Sequence, residues 1–510
     1  MQNISDLPWL SLLILVPLVA AAVIWLVPAL HRVARTVGLV VSLVVLAGFV
    51  VMATGFDLGA AAEHQFTEQL SWIPQLGVSY AVGINGLGLT MVGLSVLLVP
   101  LALLAAWREQ EIVPEGAVIA RRQAGFVALV LLLEATMVAV FSARDVFLFY
   151  VVFEAMLIPV YFLIGNYGGP KRRYAAIKFL VYSLASGLVM LVGVIALGVM
   201  GPGGEQAFLV DTLAGSELGV WAERWIFISF FIAFAVKAPM WPVHTWLPDA
   251  AQQASPGTSA LLVGVLDKVG TFGMLALCLP LFPEASRWAA PVIIVLAVVS
   301  ILYGALVALG QRDVMRLIAF TSVSHFGFIV LGIFAFTSTS IAGSSFYMVN
   351  HGLSTGALFL LVGFLAARRG SARIEDFGGL QKVTPVLAGT FLVTGLSALS
   401  LPGLSTFVSE FLVVVGTFAA NRPAAVVAVV AVVLAAAVAV SLLLAWVIHR
   451  FVERPFGPRL RRATTAGCER LAAGVRAGVA TVRGRYDVGT PPTVPTGREP
   501  SRMAAKNAGA

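Results

Sequence analysis

The sequence predicts an all-α polytopic membrane protein of about thirteen transmembrane helices, in two five-helix inverted repeats whose seventh and twelfth helices of the chain are broken. Three observations predict it. Of 510 residues, 59% are hydrophobic and only 11% charged, with mean hydropathy +0.95, whereas soluble domains carry about 25% charged residues. Apolar runs of about 20 residues recur along the chain, the length that crosses a bilayer core as a helix. Two of the runs are interrupted by proline close to charged residues.

The runs fall near 8–30, 34–54, 86–107, 123–142, 145–166, 174–200, 223–247, 257–282, 288–310, 313–337, 341–367, 384–420 and 424–449. The first lacks a basic leading region and an A-x-A site after it, so it reads as a retained helix. The stretch 64–83, with Phe66, Leu70, Trp72 and Tyr80 among polar residues, reads as a short hairpin outside the membrane. The seventh run ends among Pro239, Pro242 and Pro248, each without an amide hydrogen and in conflict with the preceding turn. The twelfth is too long for one straight span and contains Leu401-Pro402-Gly403. Interrupted helices at matching places in two halves are the sequence sign of an inverted-repeat transporter. The chain therefore divides into 1–122, three helices with the hairpin; 123–282, the first repeat; 288–450, the second; and 451–510, a basic, partly disordered cytoplasmic tail with a surface helix at 470–483.

Loops after odd-numbered helices hold fourteen Lys and Arg, among them Arg121, Arg122, Lys171 to Arg173, Arg368 and Arg369; those after even-numbered helices hold four, Arg144, Arg224, Arg287 and Arg422. By the positive-inside rule the N-terminus faces outward and the tail faces the cytoplasm. The net charge of +8 is no sign of nucleic-acid binding, because the basic residues flank apolar runs or lie in the tail. Two cysteines, Cys278 and Cys468, cannot by themselves hold an iron–sulfur cluster or a zinc ion. No phosphate-binding loop or GxGxxG after a strand is present.

The chemistry lies in the charges inside the apolar runs. Lys237 and Lys268 have apolar sequence on both sides, and a lysine at the centre of a span costs about 3 kcal/mol on insertion scales. Glu154 sits near the middle of the fifth run, and Glu134 lies in the fourth. His325 shares a helix face with Thr321 and Ser322; His351 shares one with Tyr347, Ser354 and Thr355. Glu410 follows the second break, one turn after Thr406. Lys178 is placed to snorkel or to face the interior, and Asp145, Asp249 and Asp313 fall at helix ends, where capping is the expected role. Buried carboxylates, amines and imidazoles linked by hydroxyls and water are the parts of a proton path.

The motifs FEAMLIPVYFLIG, KAPMWPVHTWLPDA, LDKVGTFGM, TSVSHFGF, NHGLSTGALFL and LPGLSTFVSEF, all within about residues 80–420, resemble the antiporter-like membrane subunits of proton-pumping NADH:quinone oxidoreductase, complex I, and the fifth-helix motif is most similar to chain M. The resemblance implies fourteen helices, two five-helix inverted repeats and two half-channels joined by a central polar axis. It implies working roles for Glu154, Lys237, Lys268, His325, His351 and Glu410, with Glu410 the exit-side carrier. It implies no cofactor in this chain, with NADH, flavin, iron–sulfur clusters and quinone on or with partner subunits. The partners it implies are other membrane subunits of the complex, above all neighbouring antiporter-like ones, in the lipid of a bacterial plasma membrane. Subunits of multi-subunit Na⁺/H⁺ antiporters share these motifs and give the alternative function. Ala251 stands where the family often has histidine, and no fourteenth helix follows. The thirteenth run together with VERPF looks like the last helix of membrane acyltransferases, but no early intramembrane histidine motif of an acyltransferase accompanies it.

Overall fold

A computed structural model describes residues 7–107 and 117–430. The helices in order are α1 (Trp9–Leu26), α2 (Ala34–Thr54), α3 (Gly86–Ala105), α4 (Ala117–Ser142), α5 (Val146–Tyr167, interrupted at Met156), α6 (Arg172–Met200), α7 (Val220–Lys237), α8 (Trp246–Gln253), α9 (Pro256–Leu281), α10 (Pro283–Leu309), α11 (Val314–Phe334), α12 (Ser338–Arg369), α13 (Pro385–Ala398) and α14 (Ser405–Ala420). Ten are long and apolar enough to cross a membrane among the described residues. The remaining predicted spans are the two broken ones, α7–α8 and α13–α14. The thirteenth is helical over 422–430, and its continuation, the tail and the surface helix at 470–483 lie outside the described residues.

The hairpin also forms. Strands β1 (Gln65–Ile73) and β2 (Val78–Ile84) pair antiparallel. Its role is to finish helix ends. Glu68 accepts hydrogen bonds from the first amides of α1, Leu10 N at 2.9 Å and Ser11 N at 3.2 Å, and from the Ser11 hydroxyl. Those amides have no partner within their own helix. Asp145 caps α5 from Leu148 N and also takes Ser79 N of β2, and Asp313 caps α11 from Arg316 N.

Burial sorts the helices. Nine-tenths of the apolar window of α9 is buried, and most of α4 and α11; α1, α2, α6 and α10 bury two-fifths or less. Lipid is as apolar as leucine, so helices there associate through close packing of small residues. A Cβ at Gly352 would meet the Gly264 carbonyl at 2.6 Å, so α9 and α12 touch backbone to backbone. On another face of α9, a Cβ at Gly270 would run into the Phe234 carbonyl and the Ala238 amide.

Both breaks take hydrogen bonds from side chains, which irregular backbone at membrane depth requires. In the first, the Trp246 indole donates to Val236 O at 2.9 Å, Trp241 N donates to Ser300 Oγ at 2.7 Å, and Tyr182 bonds Thr245 at 2.8 Å. In the second, Ser400 and Gly403 take positive φ, 52° and 95°, and the Thr406 hydroxyl donates back across the gap to Ser397 O.

Candidate functional site

Helix α9 carries the centre of the site. A widened turn at Leu262–Leu266 precedes Asp267 and Lys268, and such turns are frequent at functional positions. Lys268 is fully buried. Its ammonium donates to Val263 O inside that turn and lies 2.7 Å from His351 Nδ1 of α12. The His351 ring stands edge-to-face with His325 of α11, centroids 5.2 Å apart. His325 in turn lies 5.7 Å from the ring of Tyr347, whose hydroxyl donates to Glu410 Oε2 at 3.3 Å. Thus Lys268, His351, His325, Tyr347 and Glu410 form one contiguous row across α9, α12, α11 and α14.

Tyr347 completes the row in a way its sequence position only hinted at. The other hydroxyls expected to line the histidines turn to their own helices: Thr321 and Ser322 donate to Ile318 O, and Ser354 to His351 O. Thr406 serves the break and not Glu410. Met348, unremarked in the sequence, meets the Thr271 hydroxyl beside Lys268 at 2.8 Å.

The second group of charges surrounds the first break. Lys237 ends α7, fully buried, with its ammonium 4.9 Å from the centroid of the Phe153 ring and 5.5 Å from that of Phe179. Burial of a cation against ring faces recovers part of its lost hydration. Glu154 of α5 attracts it electrostatically, but the two groups make no direct ion pair, and Lys237 Nζ has no hydrogen-bond partner among the described residues. Gly187 of α6 leaves the room that the Glu154 carboxylate occupies; a Cβ there would overlap it. Glu134 of α4 is fully buried, and neither of its oxygens has a partner among the described residues. It stands apart from the row.

Three features were not legible as such. Asp249 is no cap. It binds Lys178 of α6 at 2.7 Å and Arg316 of α11 at 2.5 Å, tying α8 to both. Lys178 is accordingly not a snorkelling residue but one of the three members of that cluster. His244, in the break, is buried edge-on to Tyr303, and neither ring nitrogen has a partner among the described residues. Asp267 is fully buried, and neither oxygen accepts a hydrogen bond from the described residues.

The arrangement matches known proteins. Residues 143–435 fit the family described as NADH:quinone oxidoreductase/Mrp antiporter, TM. The chain is 45% identical over 480 residues to NADH-quinone oxidoreductase subunit M of Mycobacterium tuberculosis (strain ATCC 25618 / H37Rv), covering 88% of this chain and 86% of that one. It superposes on a chain of respiratory complex I from Thermus thermophilus with TM-score 0.74 and 32% identity, over 85% of this chain and 87% of the other. The Mrp complex from Dietzia sp. gives TM-score 0.75 at 26% identity, over 85% of this chain and 78% of the other. The fold, the two broken helices and the buried row therefore have a common explanation: the chain belongs to the family of NADH:quinone oxidoreductase and Mrp antiporter membrane subunits, and within it resembles subunit M of complex I.

Proposed function

We propose that the chain is the M-type proton-translocating membrane subunit of a respiratory NADH:quinone oxidoreductase, coupling quinone reduction to proton pumping. The residues that carry it are Glu154, Lys237, Lys268, His325, His351 and Glu410, with Glu134 a further buried carboxylate and Tyr347 a link. The row from Lys268 to Glu410 supports this reading above all, because each neighbour differs in proton affinity and lies within side-chain reach of the next. Protons enter at the Glu154–Lys237 end and leave past Glu410. The N-terminus faces outward and the tail faces the cytoplasm of a bacterial plasma membrane. Residues 123–282 and 288–450 act as the two inverted halves, each with one broken helix. NADH, flavin, iron–sulfur clusters and quinone belong to partner subunits, and neighbouring antiporter-like subunits flank this one.

A Na⁺/H⁺ antiporter subunit is the second reading, favoured by the likeness to the Mrp complex. The 45% identity to a subunit M weighs for the first. The test is Lys268→Ala in the assembled complex, with incorporation checked by immunoblot. Proton uptake per NADH oxidised should fall and quinone reduction should slow, through tight coupling. Normal pumping by a fully incorporated variant would sink the row as the proton path.

A further inference from the structure

We propose that Asp267 is a working proton carrier that joins the Lys237 site to the Lys268 site through the body of α9. The inference rests on the reading of the two lysines as proton carriers.

The first ground is its lack of partners. Asp145 and Asp313 each cap a helix, and Asp249 holds two cations. Asp267 is fully buried and does none of these things. A buried carboxylate without partners is strongly destabilising, so a residue kept only for packing is an expensive choice there.

The second ground is placement. Consecutive helical residues point about 100° apart. Lys268 points to α12, on the side where Gly264 meets Gly352 and the ammonium meets His351. Gly270, three residues beyond Asp267 and so on its face, packs against the α7 backbone at Phe234 and Ala238, flanking Lys237. The Asp267 carboxylate attracts both ammonium groups. One helix thus presents a carboxylate toward the first lysine and an amine toward the axis, at adjacent positions.

The third ground is the local backbone. Asp267 N donates to Leu262 O, five residues back, at 3.1 Å. The widened turn leaves Val263 O to take the Lys268 ammonium. Each lysine rests away from the carboxylate: Lys237 over the Phe153 and Phe179 rings, Lys268 at Val263 and His351. A four-carbon stem lets each ammonium swing from there to a carboxylate between them.

The transfer balances. The Lys237 ammonium gives a proton to the Asp267 carboxylate, leaving a neutral amine and a carboxylic acid. The acid then gives that proton to the neutral Lys268 amine, which restores the carboxylate and leaves an ammonium facing His351. No electron moves and no bond to carbon changes.

The experiment compares Asp267→Asn, Asp267→Leu, Asp267→Glu and Lys268→Ala in membranes holding the assembled complex. Proton uptake per NADH oxidised is the readout, with immunoblot and electron transfer from NADH to ferricyanide as checks of assembly. Asn and Leu should each lower pumping roughly tenfold, a barrier change of about 1.4 kcal/mol. Glu should restore a substantial part, since the carboxyl survives. Leu removes the cost of an unpaired buried charge, so a residue with a merely structural role would pump normally as Leu. Normal pumping by incorporated Asn or Leu variants, or a Glu variant as inactive as Asn, overturns the proposal. If Lys268→Ala also pumps normally, the underlying reading falls with it; if only the Asp267 variants pump normally, the lysine path stands without Asp267.

Discussion

At the scale of single residues, the row makes graded predictions. Glu410 accepts a hydrogen bond from the Tyr347 hydroxyl at 3.3 Å, and the Ser400 side chain also favours its carboxylate. Glu410→Gln should abolish pumping, because the amide cannot take up and release a proton. Glu410→Asp should retain part of it, since the carboxyl survives with a shorter reach; a fully inactive, fully incorporated Asp variant would argue against a carrier role. The same proton-uptake assay checks both. Gly187 gives a sharper test, because it never touches a proton. An added Cβ would stand where the Glu154 carboxylate lies. Gly187→Ala should therefore lower pumping severalfold while leaving incorporation intact, and unchanged pumping would mean that Glu154 has room elsewhere. The burial of these groups was readable in advance, since charges inside apolar runs identify themselves by their cost. Which charges meet was not. Asp249 sits 71 and 67 positions from its partners Lys178 and Arg316, and no local pattern distinguishes such a residue from a cap.

At the scale of elements, the two broken helices were legible because proline and glycine act locally. Pro239, Pro242 and Pro402 had to end helices wherever the chain went. The interruption of α5 at Met156 was missed, although Pro159 three residues on leaves a carbonyl of the preceding turn without its amide. The satisfied backbone of the first break was also out of reach, since the indole of Trp246 and the hydroxyl of Ser300 come from outside it. The segment after that break is held by the Asp249 cluster. Asp249→Asn should loosen α8 from α6 and α11, at a cost of about 1.5–3 kcal/mol for lost charge-assisted hydrogen bonds. Thermal melting of the purified subunit should place the Asn variant below the parent. Equal melting temperatures of the two would contradict the role.

At the scale of the whole molecule, span order and boundaries were the most legible part. The run 34–54 matches α2 residue for residue, and 86–107 differs from α3 only at its end. Length and hydropathy suffice because the bilayer sets the length of a span. The order of burial was not legible. Helices α4 and α6 are similarly apolar, with mean hydropathy 2.3 for each, yet the first is mostly buried and the second mostly exposed. What separates them is contact between helices, which in lipid follows small residues and shape more than hydrophobicity. That contact has a consequence for inheritance. Every amino-acid change open to a glycine codon adds at least a Cβ, and at Gly270 and Gly352 that atom would press on the backbone of a neighbouring segment. No conservative replacement exists for these two positions. A saturation library selected for respiratory growth should return glycine alone at 270 and 352, with alanine at most at 264, where the nearest atom is the movable end of Leu98 at 2.9 Å. Recovery of valine or larger residues at 270 would show that α7 and α9 part more readily than their packing implies.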